Sequence, residues 1–270
     1  MPKFDANLSM LFTEHDFLDR FSAAASAGFG GVEYLFPYDY PAAEVARALE
    51  AAGLEQVLFN LPSGNWAAGE RGIACLPDRV DEFRAGVAKA ISYADALGCK
   101  RLNALAGKVP AGVTREDAHR TFVTNLRYAA AELERAGIAL VAEAINTYDI
   151  PGFFLSRSDQ TFAIIDEVGS KNLTLQYDIY HMQRMEGELA ATLRTQLARI
   201  GHVQLADNPG RHEPGTGEIN YPFLFDVLDQ IGYAGWVGCE YVPGNGTVAG
   251  LGWASNYLKP AHAGASERSL

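Results

Sequence analysis

Cysteine is scarce in this 270-residue chain, which contains only Cys75, Cys99 and Cys239. The number is odd and no two of the three form a CxxC pair, a pattern that favours reduced thiols. The first ten residues, MPKFDANLSM, contain no basic segment followed by an apolar stretch, so we expect no secretion signal. Together these absences predict a cytoplasmic protein.

Basic clusters and long apolar runs are missing as well. The chain has 22 Lys and Arg against 33 Asp and Glu, a formal net charge of −11, whereas a nucleic-acid-binding protein usually carries a basic face. No apolar run approaches the length of about 18 residues that a membrane-spanning helix needs. The GxSxG, Walker A, HExxH and dinucleotide-binding motifs are also absent. We therefore expect neither a nucleic acid nor a membrane as a partner.

What the chain does contain is a regular alternation of apolar, strand-like runs with Ala-rich helical stretches. The predicted strands begin near Phe4, Val32, Gln56, Arg101, Ile138, Leu173, His202 and Trp236. The predicted helices are Asp16–Ala27, Ala42–Ala52, Arg79–Leu97, Arg115–Ala136, Ser158–Val168, Glu186–Ile200, Tyr221–Ile231 and a short one at Val248–Leu258. Eight such units predict a single-domain (β/α)8 TIM barrel of the α/β class over residues 1–258, with a doubly wound sheet as the rival. The small, polar segment 259–270 is predicted to be a disordered tail.

Four polar residues end predicted strands in the second half of the chain: Glu143, Asp178, Gln204 and Glu240. A polar side chain at the end of an apolar strand is costly to bury alone, and in a barrel the C-terminal strand ends form the active site. Because neighbouring strands lie about 5 Å apart, four such side chains would surround one ion. An oxygen-only ligand set suits a hard divalent cation, Mg²⁺ or Mn²⁺.

Glu143 and Glu240 are also candidates for acid–base chemistry, because two carboxylates that flank a substrate can pass a proton in either direction. The alternative is a structural carboxylate paired with a cation, but no Lys or Arg lies close to Glu143 in the sequence. Burial raises the pKa of a carboxyl group and a metal lowers it, so the sequence leaves open which glutamate is the acid.

Candidates for substrate binding lie in the segments that follow predicted strands. His181, in the sequence DIYH, is predicted to donate a hydrogen bond to a substrate oxygen, the alternative being a structural histidine. Arg211 lies in a Gly- and Pro-rich loop, which is either a plain turn or a loop that holds a phosphate or carboxylate. Arg71 and Lys108 are either solvated charges or partners of an anionic substrate, which would need a cation beside so many carboxylates.

The segment 60–72, NLPSGNWAAGERG, is long for a connection between a strand and a helix. It is therefore predicted to form a lid or a wall of the substrate pocket. Trp66 is a candidate for shaping that pocket.

Seven segments together resemble the hydroxypyruvate isomerase family, which belongs to the xylose-isomerase-like barrels. They are ANLSMLF, FPYDY, NLPSGNWAAGERGIA, DIPGF, QYDIYHMQRMEGEL, GHVQLADNPGRHEPGTGEINY and GWVGCEY. The likeness covers nearly the whole chain up to about residue 258, and its motifs are long and specific.

The resemblance implies an aldose–ketose type isomerase that interconverts hydroxypyruvate and 2-hydroxy-3-oxopropanoate (tartronate semialdehyde). It implies metal-assisted proton transfer through an enediol, with Glu143 and Glu240 as the catalytic pair. It also implies that Glu143, Asp178, Gln204 and Glu240 bind the metal, with Mg²⁺ expected and Mn²⁺ as the alternative. The substrate would be a small 2-oxo or hydroxy acid, and a homo-oligomer is expected because these barrels often associate.

Three positions depart from related patterns. Gln204 replaces the His of many relatives in the wider superfamily, Ala144 replaces a usual Pro, and Phe59 stands where a His often precedes NLP. Phe59 removes a possible polar contact, so a 2-oxotetronate isomerase and a ketose 3-epimerase are the alternative enzymes. An endonuclease on the same barrel would need more histidines and a basic face, and an inactive metal- or sugar-binding barrel would not need both glutamates.

Overall fold

A closed barrel of eight parallel strands forms the centre of the computed structural model, which describes residues 1–258. The strands are β1 (Lys3–Asn7), β2 (Gly31–Tyr34), β3 (Glu55–Asn60), β4 (Arg101–Asn103), β5 (Ala139–Glu143), β6 (Leu173–Asp178), β7 (Ile200–Leu205) and β8 (Trp236–Cys239). They pair in chain order, and β8 closes on β1. The predicted TIM barrel is thus confirmed over its doubly wound rival, and the tail predicted at 259–270 lies outside the described residues.

Helices cover the outside of the barrel. They are α1 (Arg20–Ser26), α2 (Ala42–Ala52), α3 (Val80–Leu97), α4 (Arg115–Arg135), α5 (Ser158–Val168), α6 (Ile179–Met185), α7 (Leu189–Gln196) and α8 (Tyr221–Gln230). Short 3₁₀ turns lie at Phe17–Asp19, Pro77–Arg79, Leu197–Arg199 and Ala249–Ala254. None of these helices is long and apolar enough to cross a membrane.

Three helical segments differ from the predictions. The sequence pattern did not indicate α6, which starts directly after β6 because the Asp178 side chain accepts hydrogen bonds from the backbone N–H groups of Tyr180 and His181. The helix predicted at Glu186–Ile200 is shorter, since Gly187 takes a left-handed conformation with φ 69° and separates α6 from α7. The helix predicted at Val248–Leu258 is a 3₁₀ turn at Ala249–Ala254.

The inside of the barrel contains many buried polar side chains, whereas the layer between strands and helices is apolar. Buried polar side chains from several strands meet inside, among them Asp5, Glu33, Gln176 and His202. Gly238 makes room for one of them, because a Cβ at this position would lie 2.5 Å from Glu33 Oε2. A polar interior of this kind demands hydrogen-bond partners for each group, and it lies directly below the strand ends.

Loops after β3, β4 and β5 are joined into one wall above the barrel. Cys75 donates its backbone N–H to the Ala106 carbonyl over 2.8 Å, and Phe154 donates to the Gly107 carbonyl over 2.8 Å. The close approach requires glycine, since a Cβ on Gly72 or Gly107 would collide with the backbone of the other loop. This wall fixes one side of the space above the strand ends.

Candidate active site

The four strand-end residues converge at the carboxyl end of the barrel. Glu143 and Asp178 are the last residues of β5 and β6, Gln204 is the last but one of β7, and Glu240 directly follows β8. Asp178 pairs with Gln204, and Gln204 with Gly238, in the strand register. All four side chains belong to buried residues. The sequence pattern therefore located a real cluster.

Two carboxylate oxygens in this cluster are buried and have no hydrogen-bond partner: Glu143 Oε1 and Asp178 Oδ2. The other oxygen of each group is held, since Asn103 donates to Glu143 Oε2 over 3.2 Å and the start of α6 donates to Asp178 Oδ1. The free oxygens lie 3.6 Å and 3.5 Å from His181 Nε2. Unpartnered buried oxygens are costly, and a divalent cation is a group that would satisfy them.

Burial and mutual repulsion raise the pKa values of the three carboxyl groups. Burial is the largest cause for Glu143, whose pKa rises well above its usual value, and Glu240 and Asp178 add to it. Burial raises the pKa of Asp178 to about 6 and that of Glu240 to about 8, although Arg211 opposes both shifts. Like charges in a buried site disfavour one another's ionised forms, so the cluster needs a cation to be fully ionised.

Gln204 is in the cluster, but its amide nitrogen faces the carboxylates. Its Nε2 donates to Glu33 Oε1 over 2.7 Å and also to Glu240 Oε2. Its Oε1 accepts a hydrogen bond from Gln176 Nε2 over 2.6 Å. Binding a cation through oxygen requires the Gln204 amide to turn over. The Gln176 amide must then turn as well, so that its Oε1, which is buried without a partner, accepts the Gln204 N–H.

Arg211 provides the positive charge that faces the cluster. Its Nη2 donates to Glu240 Oε1 over 2.7 Å and lies 3.9 Å from Asp178 Oδ2, while the guanidinium packs 5.3 Å from the Tyr180 ring centre. Arg211 has a left-handed φ of 57°. The loop that presents it is organised by the buried Asp207.

The Asp207 carboxylate accepts three backbone N–H groups of this loop. Its Oδ1 accepts from Asn208 over 2.8 Å and from Ile219 over 3.1 Å, and its Oδ2 accepts from Gly215 over 2.8 Å. Gly217 has no room for a side chain, because a Cβ would strike Asn208 O and lie 2.7 Å from Asp207 Oδ1. The Gly- and Pro-rich loop is therefore a built support for Arg211 and not a plain turn.

His181 is buried and held in one orientation by Asn146, which the sequence pattern did not indicate. Asn146 Nδ2 lies 2.7 Å from His181 Nδ1. The Asn146 carbonyl oxygen is already occupied by the N–H groups of Tyr148 and Asp149, so its amide nitrogen must be the group that faces the ring. His181 Nδ1 is thus an acceptor, and Nε2 carries the proton toward Glu143 and Asp178. Burial, followed by Arg211 and Arg184, lowers the pKa of His181 well below its usual value, so the ring is neutral.

A small cavity of about 70 Å³ opens beside these groups. Glu143, His181, Arg211 and Glu240 form its polar part. Its remaining wall is mainly apolar and consists of Met10, Leu35, Asn60, Trp66, Leu105, Ile145 and Ile150. The cavity therefore combines acid–base groups with a tight, largely apolar enclosure.

Arg71 and Lys108, predicted as substrate-binding cations, do not line this cavity. The Arg71 guanidinium lies 4.2 Å from the centre of the Trp66 ring and donates to backbone carbonyls of its own loop. Lys108 Nζ donates to the Gly69 carbonyl over 3.3 Å at the surface. Phe59 is also away from the cavity, since it packs against Tyr34 and Tyr38 on the helix-facing side of β3.

A second acidic cluster lies deeper in the barrel, around His202. His202 Nε2 lies 2.7 Å from Glu33 Oε2, and Asn7 and Gln204 donate to Glu33 Oε1. Burial, and then Glu33, raises the pKa of Asp5 well above its usual value, which keeps Asp5 protonated beside the ionised Glu33. These groups support Gln204 from below and do not reach the cavity.

Comparison with known proteins adds a family to this geometry. A family model described as Xylose isomerase-like TIM barrel matches residues 21–257. Hydroxypyruvate isomerase of Escherichia coli (strain K12) is 58% identical over 257 residues, which cover 95% of this chain and 100% of that protein. The 2-oxo-tetronate isomerase of Cupriavidus necator is 51% identical over 258 residues, covering 96% and 99%. A crystal structure named AP endonuclease, family 2, from Brucella melitensis is 47% identical, with a TM-score of 0.93 and coverage of 96% and 100%.

Proposed function

The chain belongs to the hydroxypyruvate isomerase family of xylose isomerase-like TIM barrels, and we propose that it interconverts hydroxypyruvate and 2-hydroxy-3-oxopropanoate. The observation that carries this proposal is the meeting of Glu143 and Glu240 at a cavity of about 70 Å³. An isomerase of this kind needs two proton-transfer groups and a small enclosed space, and no external oxidant.

A divalent cation fits the donor set. It would be held by the unpartnered oxygens of Glu143 and Asp178, together with Glu240 and a turned Gln204 amide. Mg²⁺ is the first choice for this ligand set and Mn²⁺ is the alternative. When bound, such a cation supplies Lewis-acid polarisation of the substrate carbonyl and balances the carboxylate charge.

Proton transfer is assigned to the two glutamates. Among the described residues that line the cavity, Glu143 is the one with a carboxylate oxygen that is buried and has no hydrogen-bond partner. We therefore assign it as the first base. It takes a proton from the hydroxyl-bearing carbon of hydroxypyruvate, and the electron pair forms the enediol. Glu240 donates a proton to the former carbonyl carbon, while the hydroxyl proton moves to the former carbonyl oxygen, which gives the isomer. Glu143 is then protonated and Glu240 ionised, and transfer of one proton from Glu143 to Glu240 restores the starting state of the enzyme.

Substrate orientation is assigned to His181 and Arg211. The Nε2–H of His181 donates to a substrate oxygen, since Asn146 holds the opposite nitrogen as an acceptor. Arg211 is the cationic side chain among the described residues that lines the cavity. We assign the substrate carboxylate to it, because a guanidinium binds a carboxylate through two parallel hydrogen bonds. This role replaces the earlier expectation for Arg71 and Lys108.

The cavity size favours the three-carbon acid over the four-carbon one. A water needs about 10–15 Å³ of such volume, so a cavity of about 70 Å³ suits a short acid better than a longer one. A 2-oxotetronate isomerase remains the second candidate, because relatives with that name are 51% and 47% identical to this chain. A ketose 3-epimerase would need space for a larger sugar.

A nuclease activity, which the name of the Brucella melitensis structure suggests for that protein, is not our choice for this chain. The net charge of −11 and the absence of a Lys and Arg cluster argue against binding a polyanion. The enclosed cavity is also far too small for a nucleotide.

The test is turnover of hydroxypyruvate by protein stripped with a chelator and refilled with Mg²⁺ or Mn²⁺, with 2-oxotetronate and fructose as competing substrates. We expect metal-dependent activity that is highest with hydroxypyruvate. Glu143→Gln and Glu240→Gln should keep the melting temperature near that of the parent and lose turnover by about 10²–10⁴-fold. Wild-type rates in both variants would contradict the assignment.

A further inference from the structure

Trp66 borders two spaces in the upper part of the barrel. One is the cavity of about 70 Å³ that contains the catalytic groups. The other is a groove of about 500 Å³, also bordered by Phe36, Tyr38, Asp39, Ser63 and Lys89. Trp66 contributes to the walls of both. Trp66 is therefore the residue shared by a tight inner space and a wide outer one.

The ring is held from both sides. Phe36 contacts it edge-on, with ring centres 5.1 Å apart, and the Arg71 guanidinium packs 4.2 Å from its centre. Arg71 Nη1 also donates to the Trp66 carbonyl over 3.0 Å and to the Glu70 carbonyl over 2.7 Å. A cation over an indole face is a favourable contact, so Arg71 restrains both the ring and its backbone.

The loop that carries Trp66 is closed on itself. The Glu70 carboxylate binds the Asn65 backbone N–H and forms an ion pair with Arg79, whose Nη1 lies 2.8 Å from Glu70 Oε1. Gly64 permits this closure, because a Cβ there would collide with the Glu70 carboxylate. An indole ring on such a closed loop keeps its place without support from a ligand.

We propose that Trp66 is the residue that determines substrate length, with Arg71 as its positioning residue. In the wild-type protein the indole closes the cavity at one end of a short acid. The additional carbons of a longer substrate would collide with the ring. Without the ring, the extra carbons of a longer hydroxy-oxo acid or ketose extend into the outer groove. That groove has polar groups suited to sugar hydroxyls, including Ser63, Asp39 and Lys89. The inference deepens the proposed isomerase function and rests on it.

The experiment compares Trp66→Ala and Trp66→Phe with the wild type on hydroxypyruvate, 2-oxotetronate and fructose. For Trp66→Ala we expect kcat/KM to fall for hydroxypyruvate and to rise for the longer substrates, so that the ratio shifts by roughly tenfold or more. Trp66→Phe, which keeps a smaller ring, should lie between the two. An equal change for all three substrates would overturn the proposal.

Arg71 supplies the control that separates positioning from substrate binding. Arg71→Leu should shift the same ratio in the same direction as Trp66→Ala by a smaller factor, and Arg71→Lys should restore most of it. If Arg71 instead bound the substrate carboxylate, Arg71→Leu would raise KM for both acids by one common factor and leave fructose unaffected. That result would overturn its positioning role.

A binding series distinguishes failure of this inference from failure of the proposed function. Calorimetry in the Glu143→Gln background, with oxo acids of three and four carbons, measures length discrimination without turnover. Wild-type protein that turns over none of the substrates would overturn the proposed function, and the binding series would still decide the role of Trp66. Equal selectivity in the Trp66→Ala and parent backgrounds would overturn the inference even if the isomerase activity holds.

Discussion

The side-chain amide of Asn146 donates a hydrogen bond to Nδ1 of His181 over 2.7 Å, and both residues are buried. This contact decides which ring nitrogen carries the proton, because Asn146 has its oxygen committed to backbone N–H groups. The proton on Nε2 then points into the site, within 3.6 Å of Glu143 Oε1. Asn146 therefore acts on the chemistry through His181 and not by touching the substrate.

Asn146→Asp is the sharpest test of this relationship. Aspartate keeps the size of the side chain but accepts a hydrogen bond where asparagine donates, so we expect His181 to carry its proton on Nδ1. We expect kcat to fall by about 10–100-fold with a small change in KM, the size seen when the orienting partner of a functional histidine is lost. Nitrogen NMR of the histidine ring measures the tautomer directly. A variant with unchanged ring signals and reduced kcat would point to a structural role instead.

Metal binding should depend strongly on pH, because burial raises the pKa values of the carboxyl groups that would hold the metal. The pKa values of Asp178 and Glu240 rise to about 6 and about 8, chiefly through burial. A cation must displace these protons, so its affinity should increase as the pH rises toward about 8, with release of protons on binding. Calorimetry in buffers of different ionisation enthalpy counts the protons, and a binding enthalpy independent of buffer would contradict the prediction.

The free energy of unfolding of the metal-free protein should decrease as the pH rises. These carboxyl groups have a higher pKa in the folded than in the unfolded chain, so the folded state binds more protons. The free energy of unfolding is therefore highest below the unfolded pKa and falls as the pH rises from about 4 through about 8. Thermal melting of chelated protein across this range measures the effect, and saturating Mg²⁺ should reduce it. A melting temperature that rises steadily up to pH 8 without metal would contradict this.

Much of the barrel was predictable because its strands are short apolar runs with polar ends. Strands β5 (139–143) and β6 (173–178) begin within one residue of the predicted starts, Ile138 and Leu173, and end at the predicted polar residues Glu143 and Asp178. The topology of a TIM barrel then brings the strand ends together, so the cluster of Glu143, Asp178 and Glu240 followed from spacing. The outward direction of Phe59 also follows from strand alternation, since its neighbour Asn60 lines the cavity.

The remaining features depend on contacts that sequence spacing does not encode. Asn146 and His181 are 35 residues apart, and their contact depends on α6, which begins at an unrecognised aspartate cap. Arg71 looked like a carboxylate partner, but its side chain packs on Trp66 five residues before it. The orientation of the Gln204 amide is decided by partners from two other strands.

Gln176 should influence metal affinity although it is not among the predicted ligands. Gln176 Nε2 donates to Gln204 Oε1, and Gln176 Oε1 is buried without a partner, so turning both amides makes this oxygen the acceptor for the Gln204 N–H. We expect Gln176→Leu to weaken Mg²⁺ binding by about 10–100-fold, the usual effect of losing a group that orients a ligand. The matched control is Gln56→Leu, which removes another buried barrel glutamine that bonds the Leu58 carbonyl. Equal affinities in the two variants, measured by calorimetry, would contradict the role.

Asp207 should control Arg211 without touching the cavity. Its carboxylate accepts the N–H groups of Asn208, Gly215 and Ile219, which close the loop that carries Arg211. Asp207→Ala leaves these groups without their acceptor, at a cost of about 1–3 kcal/mol for each one that stays buried.

We therefore expect a lower melting temperature and a higher KM for hydroxypyruvate, since Arg211 would no longer be held beside Glu240. Arg211→Met is the companion variant: it should raise KM similarly while leaving the melting temperature close to that of the parent. If Asp207→Ala lowered the melting temperature but left KM unchanged, the loop would be structural and Arg211 would be positioned by Glu240 and Tyr180 alone.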